Sequence, residues 1–268
     1  MSTIIYPSPI FGPVHSRRLG VSLGINLLPA DGKVCTFDCI YCECGFNADR
    51  RPALPLPTRE EVARQLEIKL KRMNEDGQQP DVLTFAGNGE PTCHPHFAEI
   101  IDDTIRLRDH YCPKAKVSVL SNATMLHRPQ VCEALMRVDN NILKLDTVDP
   151  IYINKVDRPS GRYDVSQIIS QMKSFRGHLI IQTMFMRGNL SFPLQGESEG
   201  VTTSLDNTSE TYVAPWLEAV CDIRPPQVMI YTIDRETPAG GLLKATREQL
   251  DAIRDRVIAA GIPCTASY

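Results

Sequence analysis

Three thiols fall within one short stretch, Cys35-Thr-Phe-Asp-Cys39-Ile-Tyr-Cys42. Spaced x3 and x2 on a tight loop, three thiolates can occupy three corners of a [4Fe–4S] cluster and leave the fourth iron open to a non-protein ligand. A structural zinc site asks for a fourth protein ligand. Cys44 makes a poor chelate with Cys42, and no nearby CxxC or HxxxH completes a tetrahedral set. A zinc knuckle and incidental cysteines remain the plainer alternatives. The other six cysteines, at 44, 93, 112, 132, 221 and 264, are scattered, and isolated cysteines are usually small buried hydrophobes. With no Cys before Cys35, one cluster is expected rather than two.

The elements that must position this loop alternate along the chain. VSLGINLL (21–28) reads as a strand and is followed by a polar loop to about Pro57. Thr58 and Glu61 form a capping box for a helix carrying Val62, Leu66, Leu70 and Met73, which Gly77 ends. Strand-like runs recur at 82–86, 116–121, 141–147, 178–186 and 227–233, with a short one at 262–265. Helical spacing fills the gaps: Phe97, Ile101 and Ile105; Val131, Leu135 and Val138; Ile168, Met172 and Phe175 behind Asp164; and Leu250, Ile253 and Val257 behind Thr246. Strands joined by helices require right-handed crossovers and a parallel sheet. About six βα units predict an α/β fold, a partial and open (β/α)6 TIM-like barrel, in one domain over 1–268. Residues 1–20 read as an extended lead, and the polar segment 188–209 as a mobile loop.

Gly87-Asn-Gly89-Glu90-Pro91 follows the second strand. Alone it is a strand-to-helix turn. Together with the cysteine loop and its aromatic Tyr41, it resembles the signature of the radical S-adenosylmethionine (SAM) superfamily, with Asn88 interrupting the usual glycine pair. Residues 11–29 resemble the lead of a branch related to wyosine-synthase-like proteins. The resemblance implies that Cys35, Cys39 and Cys42 hold a [4Fe–4S] cluster and that SAM chelates its open iron. Gly87 and Gly89 would let the backbone approach the methionyl group where a Cβ would intrude. Glu90 would accept from the SAM amino group.

Ligands sit at the carboxyl ends of parallel strands, so other strand ends should complete the site. Ser121 and Asn122 can hydrogen-bond ribose or carboxylate, and Asp146, beside Lys144, suits ribose hydroxyls. Gln182, Met184 and Met186 could face adenine or substrate. The plainer readings are a helix cap for Ser121-Asn122 and core packing for the methionines. Arg17 and Arg18 could bind a carboxylate or phosphate or simply pin the N-terminal segment. His15, His94 and His96 lie near the expected pocket mouth without an assigned role.

The chain has 268 residues and a net charge of −3. It therefore offers no general field for a polyanion, and a nucleic-acid partner would need a local basic patch. Its longest apolar runs fall far short of the ~20 residues that span a bilayer. No basic start or apolar core marks a signal peptide at the N-terminus, so the expected location is cytoplasmic. The expected activity is reductive cleavage of SAM to a 5′-deoxyadenosyl radical, with an external flavodoxin- or ferredoxin-type electron donor and a substrate that no residue identifies. A tRNA-modifying wyosine-type enzyme and a non-catalytic iron–sulfur or zinc protein are the alternatives.

Overall fold

Runs of branched residues pair as strands here, and the amphipathic stretches between them coil into helices. A computed structural model describes residues 3–16, 20–190 and 203–268. Arg17 and Arg18 lie outside the described residues. The elements follow in order as β1 (Ile10–Ser16), β2 (Gly20–Ile25), α1 (Arg59–Glu75), β3 (Val82–Phe85), a 3-10 turn (Pro91–Cys93) and α2 (Phe97–Tyr111). Next come β4 (Lys116–Ser121), α3 (Pro129–Leu135), β5 (Asn140–Lys144), α4 (Pro150–Val156), α5 (Val165–Ser174) and β6 (Ile180–Met184). The chain continues through β7 (Met186–Leu190), β8 (Thr203–Asp206), α6 (Glu210–Ile223), β9 (Gln227–Tyr231), β10 (Leu242–Lys244), α7 (Arg247–Ala259) and β11 (Cys264–Ser267).

The chain divides into two compact units. The first holds Ile5–Thr36 and Asn47–Ile142; the second holds Phe37–Phe46, Leu143–Tyr268 and the first few residues. In the first, the strand order is β1-β2-β3-β4-β5. β2, β3 and β4 run parallel, while β1 adds antiparallel to β2 with an irregularity between Phe11 and Val14. In the second, the order is β5-β6-β9-β11, with β6, β9 and β11 parallel. This is the α/β class with a mostly parallel sheet that the alternation predicts.

Local signals account for the helices. Thr58 accepts from the Glu61 N–H, Asp164 caps α5, and Thr246 with Gln249 forms a reciprocal capping box on α7. Helix α1 buries Val62, Leu66, Leu70 and Met73, the face that its spacing predicts. Its first residue, Arg59, reaches α2 through a forked pair with Asp103, at 2.7 and 3.3 Å.

The segment 188–209, expected as a mobile loop, needs correction at both ends. Its first residues form part of β7, which pairs antiparallel with β8, and β10 adds to the other edge of β7. Residues 191–202 lie outside the described residues. The polar composition conceals these strands because a side chain helps hold them. The Asn207 amide donates to Met184 O (2.8 Å) and Asp146 O (3.3 Å) and accepts from Met186 N–H (2.8 Å). One amide thus serves three backbone groups where the chain leaves β6.

Trp216 anchors α6. It is 1% exposed, its ring meets Phe185 edge-on at 5.2 Å, and its indole N–H donates to Leu145 O at 3.0 Å. Trp216→Phe keeps most of the apolar contact but removes the donor, and should cost about 1–3 kcal/mol in urea unfolding. The Arg59 guanidinium holds the Asp103 carboxyl below its usual range. A carboxyl lowered on folding adds stability that is present above its unfolded pKa and lost as pH falls through the folded one. The gap in thermal midpoint between wild type and Asp103→Asn should therefore close on acidification below about pH 4. Melts between pH 7 and 3 check the sign.

Candidate functional site

In the first unit, the glycine motif forms a short turn at the end of β3. Gly87 and Gly89 have φ of +136° and +131°, which side-chain-bearing residues rarely adopt. A Cβ on Gly87 would stand 2.7 Å from the Asn26 side chain, and one on Gly89 would stand 1.9 Å from Val34 O. The close approach these glycines permit is to their own neighbours. Val34 N–H donates to Asn88 O (2.9 Å) and Glu90 N–H donates to Val34 O (3.1 Å), so the turn grips the residue before Cys35.

Asn88 is fully buried. Its side chain behaves like one more strand residue: Oδ1 accepts from Tyr6 N–H (2.8 Å) and Nδ2 donates to Tyr6 O (2.9 Å) and Pro29 O (2.8 Å). Asn26, at the end of β2, donates to Tyr6 O and Pro7 O and accepts from Leu28 and Asn88 N–H. These two amides fasten the N-terminal lead to the motif turn.

Glu90 is 2% exposed. Oε1 accepts from Thr92 N–H (3.1 Å) and Thr92 Oγ1 (2.5 Å), while Oε2 accepts from Asn122 N–H (2.6 Å). Burial still outweighs these bonds and raises its pKa. The carboxylate, read from sequence as a receptor for an amino group, is engaged by protein donors at both oxygens. It ties the end of β3 to the end of β4.

Asn122, 7% exposed, stands just past β4. Its Oδ1 accepts from Thr124 N–H (3.0 Å) and Thr124 Oγ1 (2.7 Å). Its Nδ2 donates to Thr36 Oγ1 (2.9 Å) and lies 3.6 Å from Cys35 Sγ. His94 is buried, with Nδ1 accepting from His96 N–H (3.1 Å), so Nε2 carries the proton and donates to Pro57 O (2.9 Å). Burial lowers its pKa, and its role is to hold the loop. His96 pairs with Glu99, and His15 is exposed on β1.

In the second unit, Cys39 and Tyr41 meet a buried charge cluster. Lys144 Nζ bonds Asp146 Oδ2, Tyr41 Oη and, at 2.9 Å, Asp157 Oδ1. Tyr41 Oη donates to Asp146 Oδ2 (2.5 Å), and Cys39 Sγ lies 3.7 Å from Asp157 Oδ1. Burial opposes the Lys144 charge, but Asp146 and Asp157 outweigh it and raise the pKa. Burial pushes Asp157 up to about 6, against the pull of Lys144. Asp146, assigned from sequence to ribose, is turned inward. Its side chain is 1% exposed, and Oδ1 is engaged by Met184 N–H at 2.9 Å. Met184 and Met186 pack with Ile40, Tyr152 and Val156 in an apolar cluster, and Gln182 is buried in β6. Core packing is the reading that holds for the methionines.

Cys35 belongs to the first unit, Cys39 and Cys42 to the second. All three are outside any disulfide and partly exposed, as ligating thiols must be. Among the described residues, no three His, Cys, Asp or Glu side chains are gathered as a single metal ion would need. A four-iron cluster asks something else, since each thiolate binds a different iron. The donor chemistry fits such a cluster. Asn26, Thr36, Thr124 and Asp157 escaped the sequence reading. Asn26 shares the strand-end signal that marks Asn122, whereas nothing local marks the others.

Residues 31–189 match the radical SAM superfamily. A UPF0026 protein of Helicobacter pylori strain J99 is 33% identical over 67% of this chain and 56% of its own length. The chain spans 53–64% of the length of four such curated relatives. Among solved structures, a radical SAM methyltransferase from Sphaerobacter thermophilus superposes with TM-score 0.64 at 15% identity, over 92% of this chain and 66% of that one. SuiB of Streptococcus suis, bound to S-adenosylmethionine, superposes with TM-score 0.61 at 14% identity, over 89% and 49%. These are radical SAM folds, and the α/β class with a mostly parallel sheet matches theirs. With more than half of its length inside the family match, this chain belongs to the radical SAM superfamily.

Proposed function

We propose that the chain holds one [4Fe–4S] cluster on Cys35, Cys39 and Cys42, binds SAM, and works as a radical SAM enzyme on a substrate still to be identified. The observation that carries this is three partly exposed thiols, none in a disulfide, at CxxxCxxC spacing inside the matched segment. When bound and reduced, the cluster supplies the electron that splits SAM to methionine and a 5′-deoxyadenosyl radical, which takes hydrogen from a substrate C–H bond. An external donor of flavodoxin or ferredoxin type would provide that electron. No helix among the described residues is long and apolar enough to cross a membrane. A cytoplasmic setting, where thiols stay reduced, suits the cysteine loop. A small-molecule substrate accords better than a nucleic acid with a net charge of −3.

The protein's own part is to orient and to exclude water. Gly87 and Gly89 shape the turn beside Cys35, while Glu90 holds the Asn122 backbone. On this reading Glu90 and Asp146 act through neighbours as positioning residues. Asp146 and Lys144 fix the Tyr41 phenol and thereby the loop between Cys39 and Cys42.

Protein purified anaerobically, reconstituted and given dithionite and SAM should form 5′-deoxyadenosine. Cys35→Ala, Cys39→Ala and Cys42→Ala should each reduce that to background, while Cys221→Ala should not. Full SAM cleavage by Cys42→Ala would refute the proposal, and a loaded cluster that never binds SAM would favour a non-catalytic iron–sulfur protein. Lys144→Met strands two buried carboxylates and should cost about 3–5 kcal/mol in denaturation of the metal-free protein. An unchanged midpoint would mean that the cation does not hold the loop.

A further inference from the structure

We propose that Asn122 donates an N–H···S hydrogen bond to the Cys35 thiolate and so raises the reduction potential of the cluster. This rests on Cys35 being a cluster ligand, as proposed above. The orientation of the amide is decided by its neighbours. Thr124 N–H can only donate, and it lies 3.0 Å from one terminal atom of Asn122, which must be the oxygen. The NH2 group therefore faces the other way. One of its hydrogens goes to Thr36 Oγ1 at 2.9 Å, and the second is directed to Cys35 Sγ at 3.6 Å, a normal separation for a bond to sulfur.

Three further contacts keep the donor in place. Glu90 Oε2 accepts the Asn122 backbone N–H at 2.6 Å, Thr124 Oγ1 donates to Asn122 Oδ1 at 2.7 Å, and the Thr36 and Thr124 hydroxyls share a bond of 2.6 Å. Asn122 and Glu90 are both buried. The Val34 backbone is paired with the motif turn, which fixes the sulfur's side of the contact. A donor to a ligating sulfur draws electron density from the iron and favours the more negative, reduced state, so its loss lowers the potential. Asn122 is thus a positioning and tuning residue.

The test compares anaerobically reconstituted wild type with Asn122→Ala, Asn122→Ser and, as a control outside this network, Cys221→Ala. Iron and sulfide content is measured first, then the midpoint potential by EPR-monitored titration. Serine can still accept from Thr124 N–H but is too short to reach the sulfur. Both Asn122 variants should titrate at a lower potential than wild type, and Cys221→Ala, on α6, should stay at the wild-type value. An Asn122 variant with full iron and an unchanged midpoint overturns the proposal. So does a Cys221→Ala shift as large as that of Asn122→Ser, since the effect would then not depend on the donor to Cys35. A wild type that takes up no iron and sulfide strikes the cluster assignment instead.

Discussion

The arrangement around Cys35 depends on one buried carboxylate. Glu90 has almost no access to solvent, and burial alone would disfavour its charge. It is held by donors from Thr92 and the Asn122 backbone. Removing one partner from such a group leaves a desolvated acceptor unmet, an asymmetry that makes the arrangement specific as well as stable. The ends of β3 and β4 are thereby brought into register, and the amide that faces Cys35 inherits its position.

The second unit solves a similar problem with a different balance of charge. Two carboxylates share one ammonium, and a phenol and a thiol fill the remaining sites. Residues from a loop, a strand end and a helix end must all be present for the cluster to be satisfied. Structure here is enforced by polar groups that cannot be left alone, where a purely apolar core would tolerate repacking.

Much of this was legible from periodicity. The parallel strands and most helices fall where branched runs and i, i+3, i+4 spacing place them, because burial on one face dictates both patterns. The antiparallel edges were harder. β1 lies in a lead that prolines interrupt, α4 is short, and β7 and β8 are polar strands helped by the Asn207 side chain. The site was legible at the level of which residues stand at strand ends. It was not legible how they are engaged. Whether Asp146 looks out to a ribose or in to Tyr41 and Lys144 depends on partners far away in the chain, and no local pattern carries that information.

Asn26 and Asn88 bear on where this protein can be cut. The family match begins at residue 31, which invites a fragment starting there. Such a fragment would lose β1, β2 and Asn26 itself, and a milder trim through Tyr6 and Pro7 would still strip both buried amides of the partners they find in the lead. The smallest piece able to fold is therefore longer than the segment that identifies it. Its N-terminal residues are structural members of the site, and an affinity tag should be placed well ahead of them.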